Sequence, residues 1–469
     1  MHSGLSKPIG PGYNTWIMDN RSAAVKIIEV LREAGHEAYL VGGCVRDMLL
    51  GRQDIDEHDV ATSARPQAIQ ALFRRTRLVG AQFGVVLVGM GGQWIEVASF
   101  RTDESYSDGR HPDRVRFATL EEDAARRDFT INGMYYDPLE DRLIDLVGGR
   151  ADLRAGLIRA IGEPDRRFRE DHLRLLRAVR FAARLAFAVE NRTAAAIRSQ
   201  TEQIQEISTE RILDELRKML TRTGRMRGLR LADELGLLPY VLPELTDLRG
   251  RPGVTFAEGH EVSAAGDAFD HSLMTVDRLG PHVRFETVFA AVLHLTGLMR
   301  SATIDRPRTV RTRVKTPEAN TSAQVADDVC RRLTCSNRQR HAVVWLIHHL
   351  PLLGLDGDLS LAQIKRIMLC DGYDELIALY RARVEAGLEP STVLEGVEHL
   401  AETIDREALR QTAPLIHGGD LEKALGVPPG LGYQEVLDEV FDAQLNGQVE
   451  TKAEALALAR SIAERVGLV

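Results

Sequence analysis

Apolar residues change rhythm along this chain. Up to about residue 150, short β-rich runs such as EAYLVGG (37–43), FGVVLVGM (83–90) and WIEVASF (94–100) alternate with helical stretches across glycine turns. That text predicts an α+β domain. Beyond it, apolar positions recur at three- and four-residue steps, through DHLRLLRAVRFAARLAF (171–187), ERILDELRKMLTR (210–222), HAVVWLIHHLPLL (341–353) and YQEVLDEVFDAQL (433–445). The remainder is predicted helical, with strands nearly absent. Residues 300–322 are polar, rich in Arg and Thr and without period, which reads as an exposed loop, either a solvated insertion or an RNA-binding element. Pro428 to Gly430 reads as a local turn.

At 469 residues the chain exceeds one ordinary core, so roughly three domains are expected. Hydrophobic residues make up 44% and charged residues 27%, and no run of about 18 apolar residues offers a membrane span. The first 16 residues lack the basic-then-apolar order of a secretory signal and read as a lead-in. Cys44, Cys330, Cys335 and Cys370 lack zinc-knuckle or dithiol spacing, which fits a reducing cytoplasm. A net charge of −8 argues against a surface that coats nucleic acid throughout, but a local basic face remains compatible with phosphate binding.

The chemistry concentrates between residues 41 and 59. A strand ending at Val41, the pair Gly42-Gly43 and a helix from about Val45 let backbone approach an anion, with Arg46 in the first helical turn. A plain tight turn has the same spelling. Asp54, Asp56, Glu57 and Asp59 follow. Strand alternation puts Glu57, Asp59 and Ala61 on one face and Asp54 and Asp56 on the other, so Glu57 and Asp59 are the candidate Mg²⁺ ligands. An acidic solvated loop is the bland alternative. Farther on, Asp171, Arg174, Arg177, Arg180 and Arg184 fall at helical steps along one side. Either this is an amphipathic helix with a basic exposed face, or it reads a base edge. An acceptor-only Asp171 and a donor-only Arg174 match cytosine or adenine and reject uracil and guanine.

In order along the chain stand YLVGGCVRDMLLGR, DVATSARP, FGVVLV, EVASFRTD, RRDFTINGMYYDP, IDLVGGRADLRAGLIRAIG, REDHLRLLRAVRFAARL and ISTERILDEL. Over residues 37 to 220 this resembles the class II tRNA nucleotidyltransferase and bacterial poly(A) polymerase family, which extends RNA 3′ ends without a nucleic-acid template. The resemblance implies a polymerase-β-like nucleotidyltransferase head with a mixed sheet, followed by an all-α neck, body and tail. The expected blocks are a lead-in (1–20), the head (21–150), a base-selecting neck (151–222), a degenerate HD-like body (223–400) and an RNA-binding tail (401–469). It also implies addition of C and A to the tRNA 3′ end from CTP and ATP, with Mg²⁺ on Glu57 and Asp59 and Glu96 as a third carboxylate. Gly42, Gly43 and Arg46 would cradle the triphosphate, and Arg127, Asp128 and Asn132 would handle ribose and phosphates. Asp171 and Arg174 would select the base, with Arg177 and Arg180 assisting. Glu210 and Arg211 read as structural, and residues 99–117 resemble the family's flexible loop.

Relatives usually carry Asp-x-Asp before the ATSA run, whereas this chain has Glu57-His58-Asp59. Three rivals to CCA addition stand beside it: a poly(A) polymerase, which shares nearly every motif; an RNA-binding protein without catalysis, motivated by the longer Glu57 side chain; and, last, a phosphohydrolase of the helical domain. Many relatives also carry a His, then His-Asp, in the body. Here His271 is kept but His294 is followed by Leu295, so that hydrolase metal site is expected to be absent, and His348-His349 reads as a helix feature.

Overall fold

Seven strands build the head. They are β1 (Ala38–Val41), β2 (Asp59–Thr62), β3 (Thr76–Leu78), β4 (Val85–Met90), β5 (Gln93–Ser99), β8 (Met134–Asp137) and β9 (Arg142–Asp145), in the order β3-β4-β5-β2-β1-β8-β9. All neighbours are antiparallel except β2 and β5, so the sheet is mixed, as expected. A small antiparallel pair, β6 (Arg101–Glu104) and β7 (Arg114–Phe117), leaves it at one end. The computed structural model describes residues 18–53, 55, 57–79, 84–104, 114–257, 260–299, 317–354, 360–389, 391–426 and 432–468. Residues 1–17 of the lead-in, Asp54 and Asp56, residues 105–113 of the 99–117 loop, residues 300–316 of the 300–322 loop, and the Pro428 turn lie outside the described residues.

One sheet face is covered by α1 (Asn20–Glu33), whose first turn is capped by Asp19 accepting from Ser22 N at 2.7 Å. Ala23, Ala24, Ile27, Ile28 and Leu31, at helical spacing, are buried beneath it. On the other face, Tyr39, Val41, Ala61 and Tyr135 form a core with Phe100 and with Leu120 and Ala124 of α4 (Leu120–Arg126). Toward β5, β4 and β3 that second face opens: Leu87 and Trp94 are half-buried and Glu96 is exposed, while Val86, Val88, Ile95 and Val97 point the other way and are sealed. The site lies where the covered half meets the open half.

Helices dominate after the sheet, in two compact units dividing at Pro243/Glu244. In the first lie α6 (Pro164–Glu170), α7 (Leu173–Leu185), α9 (Thr209–Leu220) and α10 (Arg225–Glu234). The second holds a helical body, including α13 (Ala268–Arg278), α14 (Phe285–Leu293), α15 (Pro317–Arg332) and α18 (Tyr373–Glu385). Near the C-terminus, Leu421, Tyr433, Val436, Val440, Ala459 and Ile462 make a core of their own. One expectation is corrected. A hairpin of β12 (Pro252–Ala257) and β13 (His260–Asp267) stands in the body, where runs without helical period hid it, and α15 already begins within the segment read as loop.

His271 and His294 are buried in the body. Both ring nitrogens of His271 and Nε2 of His294 lack a partner, and burial pushes both residues below the ordinary histidine value. Asp267 and Asp270 oppose the shift at His271, and Arg383 reinforces it at both. Among the described residues no group of three His, Cys, Asp or Glu is arranged to hold a metal.

Two predictions follow from this packing. Gly224 has φ +81°, and a Cβ there would lie 2.3 Å from the Ala183 carbonyl oxygen, whereas Gly162, at φ +73°, has open space around it. Gly224→Ala is expected to cost at least about 2 kcal/mol and Gly162→Ala about 1 kcal/mol, read by calorimetric melting of the full chain. Because the two histidines are held neutral while the unfolded chain titrates near the ordinary value of 6.5, stability is complete above that pH and falls as pH drops below it. Melting between pH 7.5 and 5 should show this slope, and His294→Phe should flatten it.

Candidate active site

The Gly42-Gly43 turn follows β1 directly. Gly42 takes φ +78° and ψ −130°, a conformation that glycine adopts without strain, and α2 (Gly43–Leu49) starts at the next residue rather than at Val45. A Cβ on Gly42 would stand 3.9 Å from Arg127 Nη1. A Cβ on Gly43 would stand 3.6 Å from Arg46 Nη2, so the turn is faced by two guanidinium groups, those of Arg127 and Arg46. Arg46 departs from the expectation: it is 2% exposed, donates to Asp47 at 3.0 and 2.8 Å and to Asn132 Oδ1 at 2.7 Å, and lies over the Phe181 ring. Those bonds tie α2 to Asn132 and to α7, and leave the side chain no open face toward a triphosphate.

Three carboxylates meet beside this turn. Asp59 pairs with Val41 across β1 and β2, and the parallel register Val60 to Val97 sets Asp59 alongside Glu96. Alternation turns Asp59 and Glu96 to the same face as Ala61, as the parity argument requires, while His58 turns away, buried, with Nδ1 3.1 Å from Asn20 Oδ1. The Asp59 carboxyl is pushed up to about 7 by burial, then by Glu96 and by Glu57, against the pull of Arg127. Glu96 is raised by crowding and then by Glu57. Since the Glu96 side chain keeps a face open to water, the like charge is the firmer of its two causes. The three acids repel one another without closing into a cage among the described residues. Such an open, mutually strained set of oxygens suits a hard divalent cation that takes its remaining ligands from a phosphate chain.

The cation facing these acids is held from behind. Arg127 Nη2 donates to Asp123 Oδ2 at 2.9 Å and Nε to the Tyr135 hydroxyl at 3.1 Å, and that hydroxyl donates to Asp123 at 2.6 Å. Burial raises the Asp123 carboxyl, but Arg127 and Arg126 outweigh it and bring it to about 2. Asp128 beside it accepts from Arg177 at 2.6 and 2.9 Å, from Phe129 N at 2.8 Å and from Asn132 Nδ2 at 3.3 Å. Its burial too is outweighed, chiefly by Arg177, to about 2.

The arginine stripe differs from the expected helix face. Helix α6 ends at Glu170, Asp171 is extended (φ −152°, ψ 103°), and α7 begins only at Leu173, whose N–H donates to Asp171 Oδ1 at 3.1 Å. Asp171 thus sits in a joint between helices. Helix α7 is buried nearly all round, and each arginine has an acid: Arg174 Glu170 at 3.0 Å, Arg177 Asp128, Arg180 Glu215 at 2.6 Å, and Arg184 Asp47 at 3.7 Å. Arg174 also donates to the carbonyls of Arg167 and Arg126 and is 8% exposed. Arg211, read as structural, lies at the site: its Nη2 donates to Asp171 Oδ2 at 3.0 Å. The four-residue step from Arg211 to Glu215, which serve Asp171 and Arg180, was the signal available for it.

Residues 38–159 match the family described as "Poly A polymerase head domain", and residues 186–248 match "Probable RNA and SrmB- binding site of polymerase A". The CCA-adding enzyme of Geobacillus stearothermophilus is 32% identical over 434 residues, covering 92% of this chain and 95% of the relative. Poly(A) polymerase I of Haemophilus influenzae is 32% identical over 379 residues, covering 78% and 81%. Among solved structures, the Bacillus stearothermophilus CCA-adding enzyme in complex with CTP superposes with a TM-score of 0.71 at 27% identity, over 96% of this chain and 100% of that one. No helix among the described residues is long and apolar enough to cross a membrane. With a relative of that identity matched over almost its whole length, the chain belongs to the tRNA nucleotidyltransferase and poly(A) polymerase family.

Proposed function

We propose that this enzyme adds C and A to the 3′ end of tRNA from CTP and ATP, releasing pyrophosphate. The observation that carries the reading is the convergence of Asp59, Glu96 and Glu57 on the open side of the sheet, next to Gly42 and Arg127. A relative solved with CTP supports the substrate class. Glu57 and Asp59, with Glu96 beside them, would hold Mg²⁺, which would supply charge neutralisation on the triphosphate and favour the ionised RNA 3′-hydroxyl. Glu57, one methylene longer than aspartate, reaches in from the strand's lead-in, where an exposed side chain has room to adjust. Arg127 remains protonated through Asp123 and meets phosphate over the side-chain-free Gly42-Gly43 backbone. The 3′-oxygen attacks the α-phosphorus, its proton leaves to solvent, and the pyrophosphate departs in line. No side chain acts as a nucleophile.

Base choice falls to Asp171 and Arg174, with Arg211, Arg177 and Arg180 around them. In the free enzyme each holds a protein partner, so a nucleobase edge must replace Arg211 at Asp171 and Glu170 or a carbonyl at Arg174. A base offering both an amine and an acceptor repays that exchange, and one that offers a carbonyl in the amine's place does not. Asp128, spent on Arg177 and Asn132, is positioned to orient those groups as well as to meet a ribose hydroxyl. Residues 151–222 form the neck in this reading, and the segment from 401, with its separate core, the RNA-gripping tail. Four free thiols fit work in the cytoplasm. The poly(A) polymerase, 32% identical over a shorter stretch, makes A-tailing the second reading.

Purified protein given tRNA ending before CCA, with each nucleotide offered singly, should incorporate C, then A, and stop. A long A tail would establish the second reading, and binding without extension would remove catalysis altogether. Asp59→Ala should lower the single-turnover rate by about 10³-fold or more while the variant still binds tRNA. Mg²⁺ should raise the melting temperature of the wild type at pH 7.5, and the doubly neutral variant Glu57→Gln/Asp59→Asn should lose this response.

A further inference from the structure

The open half of the sheet carries a second feature. Across the strands, Arg77 pairs with Leu87 and Leu87 with Glu96, so this row leads from the sheet edge to the catalytic acids. In the next row Gly89 pairs with Trp94, and Gly89 N–H donates to the Arg75 carbonyl at 2.8 Å. Alternation puts Trp94 on the face of Glu96, two residues away along β5, or roughly 7 Å. The indole rests against Gly89, where a Cβ would meet its ring carbons at 3.4 Å. Above the ring stand two guanidinium groups, Arg77 at 4.3 Å and Arg75 at 5.4 Å from the centroid. Arg74, Arg75 and Arg77 are exposed, and neither Arg75 nor Arg77 has a carboxylate partner among the described residues.

In the neck every arginine of α7 is neutralised by an acid. Here, on the same face as the catalytic carboxylates, two cations have no neutralising acid among the described residues and stand over an aromatic ring. A guanidinium stacked in this way loses little freedom when its N–H edge takes a phosphate, and its plane accepts a stacked base. A protein partner would require an acidic or apolar complement, whereas the row leads directly to where an RNA 3′-hydroxyl must lie. We infer that Arg75 and Arg77, oriented by Trp94, bind the single-stranded RNA immediately 5′ of the reacting terminus, through its phosphates and a stacked base. Arg75 and Arg77 are the contacts, and Trp94 is a positioning residue. The inference rests on the nucleotidyl-transfer reading of the carboxylates.

The test uses the full-length chain with two labelled RNAs, tRNA ending before CCA and tRNA already carrying CC. Arg75→Ala/Arg77→Ala should weaken binding of the CC-bearing tRNA by about 10-fold and reduce the slope of log K against log salt by roughly 1 to 1.5. The KM for CTP should not move. Trp94→Ala should reproduce most of the affinity loss with a smaller change in salt slope, and Trp94→Phe should restore it. Unchanged RNA affinity and salt slope in the arginine variant, with wild-type extension intact, would overturn this inference alone. Equal losses for the two RNAs would overturn the single-stranded assignment. Absence of extension by the wild type would instead count against the reading on which the inference rests. If Trp94→Ala does not fold, the exposed arginine variants still decide the matter.

Discussion

Mutual repulsion among Asp59, Glu96 and Glu57 is the constraint around which the head is organised. Three negative groups on one sheet face separate unless something fixes them. Here the parallel pairing of β2 with β5 fixes two by their backbones, so the side chains cannot drift apart without breaking the sheet. Arg127 offsets part of the charge, and Asp123 and Tyr135 fix Arg127 in turn. The apolar cluster under α4 closes one flank of the acids, and that burial is what raises Asp59. A site so loaded is prepared for a cation, since binding one relieves repulsion already present.

The same logic holds the arginines of α7. A row of guanidinium groups inside a helical layer would be costly without partners, and Glu170, Asp128, Glu215 and Asp47 provide them. Two of those acids, Asp128 and Asp47, come from the segment before residue 150. The head and the neck therefore share one electrostatic network, which accounts for their appearance as one compact unit.

The shared face of Asp59 and Ala61 was legible because alternation is a local property, and the Gly42-Gly43 turn because only two adjacent residues define it, whereas Glu57 stands before the strand begins and takes no parity from it. Arg46 was not: its burial depends on Asn132 and Phe181, which adjoin it only after folding. The α7 spacing correctly marked a helix but not its exposure, since periodicity cannot say whether a charged face meets water or carboxylates from elsewhere. The break at Asp171 was equally hidden. Its sequence continues the helical pattern, yet the carboxylate caps the next helix and the backbone extends. The β12–β13 hairpin lacked a helical period, and its text, PGVTFA and HEVSAAGD, has too few β-branched and aromatic residues in alternation to announce strands. The tail, by contrast, showed its helix in YQEVLDEVFDAQL and folds around it.

Placement of Asp171 in a joint has a mechanical result. A residue inside a helix can swing its side chain only among a few rotamers, and turning its backbone breaks hydrogen bonds on either side. Asp171 stands where α6 has ended and α7 has not yet begun, held by its carbonyl accepting from Arg174 N at 3.0 Å and by its carboxylate accepting from Leu173 N and Arg211. In the proposed function, a residue so placed would turn its carboxylate toward a base with fewer helical hydrogen bonds to break than one inside α7.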